Sequence, residues 1–179
     1  MMPIESIRRR RTIRKYTDEG ISEEQLRDLL LAAMYAPSQW GKRSWEFIVV
    51  DDPHMKGELG NLTPYSAQAA EAAVDIIVLA DKNASNSWVE DASIAAEHIN
   101  LEAAKLGLGS SWIQVRGMIH DTMDAEAYLR QILGIPDNFG ICCIITVGHP
   151  AEEKSPHREV EFSVEKVHYN RFGEHGIAA

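Results

Sequence analysis

Six basic side chains are concentrated in eight consecutive positions near the start of the sequence, from Arg8 to Lys15. They are one third of the 18 lysines and arginines in a 179-residue chain whose net charge is −9. Side chains alternate across an extended backbone, so Arg10, Thr12 and Arg14 can point to one side. Two guanidinium groups with a hydroxyl between them suit the oxygens of a phosphate. The basic stretch, residues 8–16, is therefore a candidate anion-binding segment.

Two other interpretations of the basic stretch are open. A run of arginines near a terminus is often a solvated charged arm, although here Thr12 and Ile13 interrupt the run. A nucleic-acid-binding arm is disfavoured, because phosphate contacts dominate such affinity and the remainder of this chain is strongly acidic. The sequence therefore predicts no nucleic-acid partner.

The other reactive residue types form no recognisable catalytic pattern. The seven histidines stand in no HExxH or CxxC-type arrangement, so no metal site is expected. Gly107 and Gly109 lack the GxGxxG spacing of a dinucleotide-binding loop. Cys142 and Cys143 are neighbours in an apolar run, and neighbours on a strand point to opposite faces. We therefore expect no disulfide between them, which fits a reducing, cytoplasmic setting.

Length and composition indicate one globular domain. The content of 45% hydrophobic and 25% charged residues is ordinary for such a domain. No apolar run approaches the roughly 20 residues that span a bilayer. No apolar segment with a cleavage site follows the N-terminal arginines, so they are not a secretory signal. We therefore expect a single domain over residues 1–179 and no membrane partner.

Local patterns predict an α+β fold. Ser22 and Gln25 form a capping box that begins a helix, and Pro37 ends it. Helix-start signals predict further helices. Two short helices are expected to begin at Asp52 and at Thr63, and three others are expected near residues 2–9, at 87–106 with Ser87 as the cap, and at 124–133. Short apolar, β-branched runs predict buried strands, which are expected at residues 47–50, 74–80, 110–115 and 141–147.

Two features of the pattern indicate a dimer. The helix predicted at 87–106 is apolar on more than one side, which is typical of a deep core or a subunit interface. The polar tail, residues 151–179, has no core of its own, although Val160, Phe162 and Val164 alternate as in an extended edge segment. We expect residues 1–150 to form the core and the tail to extend onto a partner subunit.

Several segments, in this order, resemble the nitroreductase family of FMN-dependent oxidoreductases. They are RRRRTIRKY at 8–16, AAMYAPS at 32–38, SWEFIVV at 44–50, KLGLGSSWI at 105–113 and ITVGHPAEE at 145–153. The resemblance covers nearly the whole chain, and no single motif is diagnostic alone. It implies a nitroreductase-like mixed β-sheet flanked by helices, in an intertwined homodimer whose C-terminal segment is exchanged onto the partner. It also implies two FMN sites at the interface, each built from both subunits.

The resemblance further implies which residues hold the flavin. Arg10 and Thr12 match positions that hold the phosphate and ribityl chain, and Arg14 matches the basic residue near N1 and O2 of the ring system. A fixed cation there would stabilise the negative charge that develops when hydride reaches N5. The other candidates are Arg11 beside Arg10, the C-terminal phosphate ligand Arg158, the partner-subunit loop of Pro37, Ser38 and Gln39, the backbone amide of Gln114 near N5, and Ser66 and Gln68 at the pyrimidine edge.

Departures from the family pattern leave two hypotheses for the function. Many members read Pro-Ser-x-x-Asn-x-Gln-Pro-Trp in the loop, whereas Gly41, Arg43 and Ser44 replace the Asn, Gln and Pro here. Trp40 and Arg43 are expected to shape the substrate side instead. The first hypothesis is an enzyme that takes hydride from NADH or NADPH onto FMN and passes electrons to a nitroaromatic, quinone or similar small acceptor by a ping-pong mechanism. The alternative is a flavin-binding carrier or regulatory protein without efficient turnover.

Overall fold

A four-stranded antiparallel sheet lies at the centre of the protein. The computed structural model describes residues 3–175 of the chain. Strands β1 (Trp45–Val50), β2 (Val74–Asp81), β3 (Gly109–Gln114) and β6 (Phe139–Gly148) form the sheet, while β4 (Ile119–His120) and β5 (Met123–Asp124) form a separate hairpin. The spatial order is β1-β2-β6-β3, and every pairing is antiparallel. The four predicted strands are confirmed to within two residues of their bounds.

Helices cover both faces of the sheet. They are α1 (Glu5–Arg9), α2 (Glu23–Met34), α3 (Pro53–Gly60), α4 (Gln68–Glu71), α5 (Trp88–Lys105) and α6 (Ala125–Leu133). Leu29 of α2 and Ile99 of α5 belong to the apolar cluster on one face. Leu59 of α3 and Leu129 of α6 belong to the cluster on the other. The α+β class is therefore confirmed. Within residues 3–175, no helix is long and apolar enough to cross a bilayer.

Local capping determines where several helices begin and end. Ser22 and Gln25 form the predicted capping box of α2. Asp52 and Asp124 accept hydrogen bonds from backbone amides in the first turns of α3 and α6. Gly134 ends α6 in the left-handed conformation, with φ 67°, which a residue without Cβ adopts at little cost.

The helix predicted to start at Thr63 was wrong. Helix α4 begins only at Gln68, because the preceding residues form a tight turn. The Ser66 hydroxyl accepts a hydrogen bond from the Thr63 amide at 2.9 Å and lies 2.8 Å from the Thr63 carbonyl oxygen. A serine side chain that bonds the local backbone in this way competes with the helix.

The capping of α5 also differs from the prediction. Ser87 precedes the helix, but its side chain makes no capping hydrogen bond. Instead, the Ser85 hydroxyl accepts from the Ser87 amide at 3.2 Å and lies 2.7 Å from Asp91 Oδ2. The start of α5 is therefore held by a buried carboxylate in its own first turn.

The two cysteines lie on the same side of the sheet. The β2–β6 register pairs Val78 with Cys143 and Leu79 with Ile141, so Cys142 is an extra residue in a β-bulge. Both thiols are free and buried, and both belong to the cluster that packs against α2 and α5. The expectation of opposite faces was wrong because the bulge interrupts the alternation.

The first part of the tail packs against its own chain. Residues 149–157 run antiparallel to residues 8–17, with hydrogen bonds such as Ala151 N to Lys15 O at 2.9 Å and His157 N to Arg8 O at 2.9 Å. Beyond this segment the chain forms two short 3-10 turns, Glu159–Glu161 and Val164–Lys166, instead of the predicted extended edge. Thus residues 149–157 contact residues 8–17 of their own protomer.

One ionisable side chain lies inside the sheet without a partner. Asp75 on β2 is fully buried, and neither carboxylate oxygen has a hydrogen-bond partner among the described residues. Burial raises the pKa of Asp75 to about 8, although the charge of Lys56 acts in the opposite direction. The folded protein therefore holds a proton on Asp75 at pH values where the unfolded chain releases it.

We predict that this proton makes stability fall as pH rises. Between the unfolded pKa near 4 and the folded value, the native state binds one more proton, so the free energy of unfolding should decrease by up to about 1.4 kcal/mol per pH unit. Asp75→Asn should remove most of this slope between pH 5 and pH 8, as measured by urea denaturation. The exposed-site control Asp51→Asn should retain it. Equal slopes for wild type and Asp75→Asn would contradict the prediction.

Candidate functional site

The basic stretch is fixed to the outer edge of the sheet. Thr12 forms a parallel bridge with Ser110 on β3, and the Ile13 amide donates to the Ser110 carbonyl oxygen at 2.9 Å. Gly109 permits this approach, since a Cβ at that position would lie 2.7 Å from Ile13 Cγ2. The buried side chains of Ile13 and Tyr16 hold the segment down, which places Arg14 beside the end of β3.

Three of the predicted flavin-binding residues line one cleft. Arg14, Gln68 and Gln114 surround a volume of about 510 Å³. Apolar and aromatic side chains complete the lining, namely Pro64, Tyr65, Ala67, Trp112, Ile113 and Met118, together with Thr63. A cation and two amides at the rim of an apolar cleft suit a planar ring system that has a polar edge. We call this the main cleft.

Hydrogen bonds orient the amide side chains of the main cleft. Trp112 Nε1 donates to Gln114 Oε1 at 3.0 Å, and Gln114 Nε2 donates to the Arg116 carbonyl oxygen at 3.0 Å. Both ends of this amide are therefore engaged within the chain. Gln68 is 7% exposed, and its Nε2 lies 3.4 Å from Ser111 Oγ. Ser66 is fully buried and bonds the Gly60 carbonyl oxygen at 3.0 Å, so it shapes the wall instead of lining the cleft.

The phosphate candidates lie at a different place along the basic stretch. Arg10 and Arg11 line a smaller cleft of about 140 Å³, together with Lys154 and residues 107–110. Arg10 Nε is 3.5 Å from a carboxylate oxygen of Glu97, and Arg11 donates to the Ser155 carbonyl oxygen. Arg10 and Arg14 therefore line different clefts, one on each side of the point where the segment is anchored to the sheet.

Acidic side chains moderate the charge near the basic stretch. The Arg14 backbone amide donates to Glu152 Oε1 at 2.6 Å, and this hydrogen bond holds the pKa of Glu152 below its usual value. Lys154 donates to the Thr12 carbonyl oxygen. Within residues 3–175, no carboxylate lies within 4.0 Å of the Arg14 guanidinium group. Arg14 therefore brings a positive charge without a nearby carboxylate partner, among the described residues, to the main cleft that it lines.

The predicted loop lies outside both clefts of its own protomer. The Gln39 amide donates to Asp91 Oδ1 at 2.8 Å, and the Ser38 hydroxyl accepts from the Arg43 amide at 2.8 Å. Trp40 and Arg43 have positive φ values of 54° and 50°, which are strained for residues with side chains. This anchored turn leaves Trp40 88% exposed. Pro37 is also exposed.

Arg158 occupies yet another position. It lines a cleft of about 340 Å³ between α1 and the tail, with Ile7, Arg8, His157 and Phe162 among its neighbours. Neither Arg158 nor the loop of residues 37–39 lines the main cleft of the same protomer. One protomer thus brings Arg14, Gln68 and Gln114 together, and keeps Arg10 with Arg11 nearby on the same segment.

Sequence reasoning missed several residues of the site. Trp112 and Met118 line the main cleft, and Lys154 joins the arginine cleft. The available signal for Trp112 was its position two residues before Gln114 on the same strand. No local sequence pattern indicates Lys154, because more than 140 residues of sequence separate it from Thr12, whose carbonyl oxygen it contacts. Within the described residues, no group of three or more His, Cys, Asp or Glu could hold a metal ion.

A sheet with helices on both faces and a cleft at the edge of β3 defines an α+β protein, and comparisons identify its family. The nitroreductase family model matches residues 7–86 and 62–149. Two relatives are provisionally named NADH dehydrogenase/NAD(P)H nitroreductase. The one from Archaeoglobus fulgidus is 34% identical over 91% of this chain and 94% of its own length. The one from Methanothermobacter thermautotrophicus is 35% identical over 94% of this chain and 87% of its own length. A solved FMN-dependent nitroreductase from Clostridium difficile R20291 is 42% identical, with a TM-score of 0.87 over 93% of this chain and 98% of that one. The chain belongs to the nitroreductase family.

We predict that Gly109→Ala loosens the basic stretch from β3. The added methyl group would overlap Ile13, and such overpacking typically costs about 1–3 kcal/mol. The Ile13 amide should then exchange with deuterium faster, as measured by hydrogen-exchange mass spectrometry, and the melting temperature should fall. Gly57→Ala is the matched control, because nothing lies within 4 Å of its added Cβ. Unchanged protection of the Ile13 amide in Gly109→Ala would contradict the account.

Proposed function

We propose that this protein is an FMN-dependent oxidoreductase that uses NADH or NADPH as co-substrate and reduces a small nitroaromatic, quinone or similar acceptor. When bound, FMN supplies the redox chemistry, since its ring accepts a hydride and passes electrons onward in a ping-pong cycle. The main cleft is the observation that carries the proposal. Family membership supports it, as does the FMN dependence stated for the Clostridium difficile relative.

The residues present fit a flavin. The main cleft combines an apolar lining with a cation and amides, which suits a flat heterocycle whose one edge is polar. The smaller cleft is lined by three arginines and a lysine together with Glu152 and Glu153, and its cations, which outnumber the carboxylates, suit a phosphate. The backbone of residues 12–14 connects the two clefts. A ligand with a ring at one end and a phosphate at the other therefore matches this order.

Each side chain would have a distinct role. Arg14 would place a fixed positive charge at the polar edge of the ring, where it favours the form that carries additional negative charge. Trp112 and Met118 would exclude water from one side of the cleft. Arg10, and Arg11 with it, would bind the phosphate through charge-assisted hydrogen bonds. No protein nucleophile is needed for this chemistry.

We also propose that the working unit is a homodimer. Residues 37–39 and Arg158 can reach a flavin in the main cleft only from a second protomer, since in their own protomer they lie elsewhere. Large apolar side chains are exposed on the isolated chain, and such surface is typical of an interface. They include Ile4, Ile7, Met34, Tyr35, Trp40, Val160, Phe162 and Phe172. The tail that reaches the partner would then start near Arg158 within the single domain of residues 1–179.

The function is tested by adding FMN to the purified protein and recording visible spectra under anaerobic conditions. We expect FMN to bind and its visible absorbance to bleach with NADH or NADPH, since the flavin accepts a hydride. Quinones and nitroaromatics should then restore the absorbance and sustain turnover. Bleaching without turnover on any acceptor would favour a flavin-binding carrier. A preparation that neither binds FMN nor bleaches would refute the reductase.

We predict that Arg10→Ala weakens FMN binding by about 1.5–3 kcal/mol, the range for a hydrogen bond to a charged group. Fluorescence titration of FMN measures the change. Lys82→Ala is the charge-matched control, because Lys82 is exposed and its backbone contacts Asn138, away from both clefts. If the two variants bind FMN with equal affinity, the phosphate assignment of Arg10 is wrong.

A further inference from the structure

A continuous chain of buried hydrogen bonds runs from the wall of the main cleft into the sheet. Gln68 Nε2 lies 3.4 Å from Ser111 Oγ, and Ser111 Oγ lies 2.8 Å from Thr146 Oγ1. Thr146 Oγ1 is 2.6 Å from Tyr16 Oη, which donates to the Ile13 carbonyl oxygen at 2.8 Å. None of these residues is more than 8% exposed. Burial raises the pKa of Tyr16 to about 12, so its hydroxyl keeps its proton.

The backbone carbonyl of Ile13 determines the direction of this chain. A carbonyl oxygen can only accept, so the Tyr16 hydroxyl proton points toward it. Thr146 must then donate to Tyr16, and Ser111 must donate to Thr146. Ser111 Oγ is left as an acceptor for an N–H group of Gln68. The competing contacts, from Tyr16 Oη to Thr146 O and from Thr146 Oγ1 to Ser111 O, are longer, at 3.4 Å and 3.5 Å.

The opposite direction satisfies fewer groups. The chain as described contains four hydrogen bonds, which join Gln68 to Ser111, Ser111 to Thr146, Thr146 to Tyr16, and Tyr16 to Ile13. Reversal keeps the first three and leaves the Ile13 carbonyl without a donor from the chain, and unpaired buried groups are rare in folded proteins. Asp75 faces Thr146 in the β2–β6 register but has no hydrogen-bond partner among the described residues, so it does not compete.

This direction fixes the amide of Gln68. With Nε2 turned inward, Oε1 remains for the main cleft, which Gln68 lines together with Arg14. We propose that Tyr16, Thr146 and Ser111 are positioning residues that hold Gln68 Oε1 toward the cleft as a hydrogen-bond acceptor for a ring N–H group of the cofactor. The inference rests on the proposed function, because it takes FMN as the ligand.

The chemistry of the ring agrees with such an acceptor. The pyrimidine edge of a flavin is an imide, in which one N–H donor stands between two carbonyl acceptors. An outward amide oxygen can pair with the N–H, while a guanidinium group, which only donates, can pair with a carbonyl. An amide free to rotate would present its NH₂ group to the N–H for part of the time and would bind the ring less well.

A double-mutant cycle tests the positioning role. FMN dissociation constants are measured by fluorescence titration for wild type, Tyr16→Phe, Gln68→Ala and the double variant. Tyr16→Phe should weaken binding about three- to tenfold when Gln68 is present, the effect expected of one hydrogen bond. It should change binding less than twofold in the Gln68→Ala background. Equal weakening in both backgrounds would show a merely structural role and overturn the proposal.

Further variants separate the chain from general damage. Thr146→Val should act like Tyr16→Phe, whereas Thr146→Ser should restore wild-type affinity. Tyr128→Phe is the matched control, because its hydroxyl bonds Glu58 outside the chain. Methylation of the ring N–H, as in 3-methyl-FMN, should weaken binding about tenfold or more for wild type and much less for Gln68→Ala. If N-methylation weakens binding to Gln68→Ala by the same factor as binding to wild type, the assigned contact is wrong.

A measurement without cofactor distinguishes failure of this inference from failure of the proposed function. In ¹⁵N NMR spectra of the cofactor-free protein, the Gln68 side-chain NH₂ should be protected from solvent exchange in wild type and exposed in Tyr16→Phe. Protection together with no FMN binding would retain the hydrogen-bond chain and reject the flavoprotein assignment. An unprotected Gln68 NH₂ in wild type would reject the chain itself, whether or not FMN binds.

Discussion

The attachment of residues 8–17 to the outer edge of β3 is the constraint on which the candidate site depends. These residues bridge Ser110 on one side and run antiparallel to residues 149–157 on the other. Each backbone hydrogen bond contributes only about 1 kcal/mol, but together they fix an irregular segment in a single path. The absence of a side chain at Gly109 lets Ile13 approach the strand closely enough for this.

This attachment divides the basic stretch between two clefts. Arg14 follows the anchored pair Thr12 and Ile13 and reaches the main cleft, whereas Arg10 and Arg11 precede it and line the arginine cleft. The same segment carries Tyr16, which ends the buried hydrogen-bond chain from Gln68. The cation at the cleft and the amide opposite it are thus positioned through one piece of backbone. Damage to that backbone should affect both.

Features encoded within a few residues could be predicted from the sequence, and long-range features could not. The capping box of Ser22 and Gln25 and the four apolar runs are local, and the structure contains them at the expected places. The turn at Thr63 escaped prediction because the Ser66 hydroxyl satisfies the backbone there. The path of residues 149–157 has no local signature, since its partners lie more than 130 positions away. For this reason the contact of residues 149–157 with their own protomer could not be predicted.

The same distinction applies to the site. Family resemblance pointed to Arg14, Gln68 and Gln114, and these three line one cleft. Separately, the alternation of an ideal strand placed Arg10 and Arg14 on one side. The real segment makes only an isolated bridge and buries both Ile13 and Tyr16, three positions apart, so strict alternation does not extend through the whole segment. The direction of the Gln68 amide depends on strand register between β3 and β6, which the sequence does not reveal.

A crystal structure of the protein with FMN would test the central claim most directly. The account predicts a dimer in which the flavin ring lies in the main cleft, against Arg14, Gln68 and Gln114 of one protomer. Residues 37–39 of the other protomer should contact the same flavin, and Gln68 Oε1 should face the ring N–H. A flavin bound away from the main cleft, or held by one protomer alone, would contradict it.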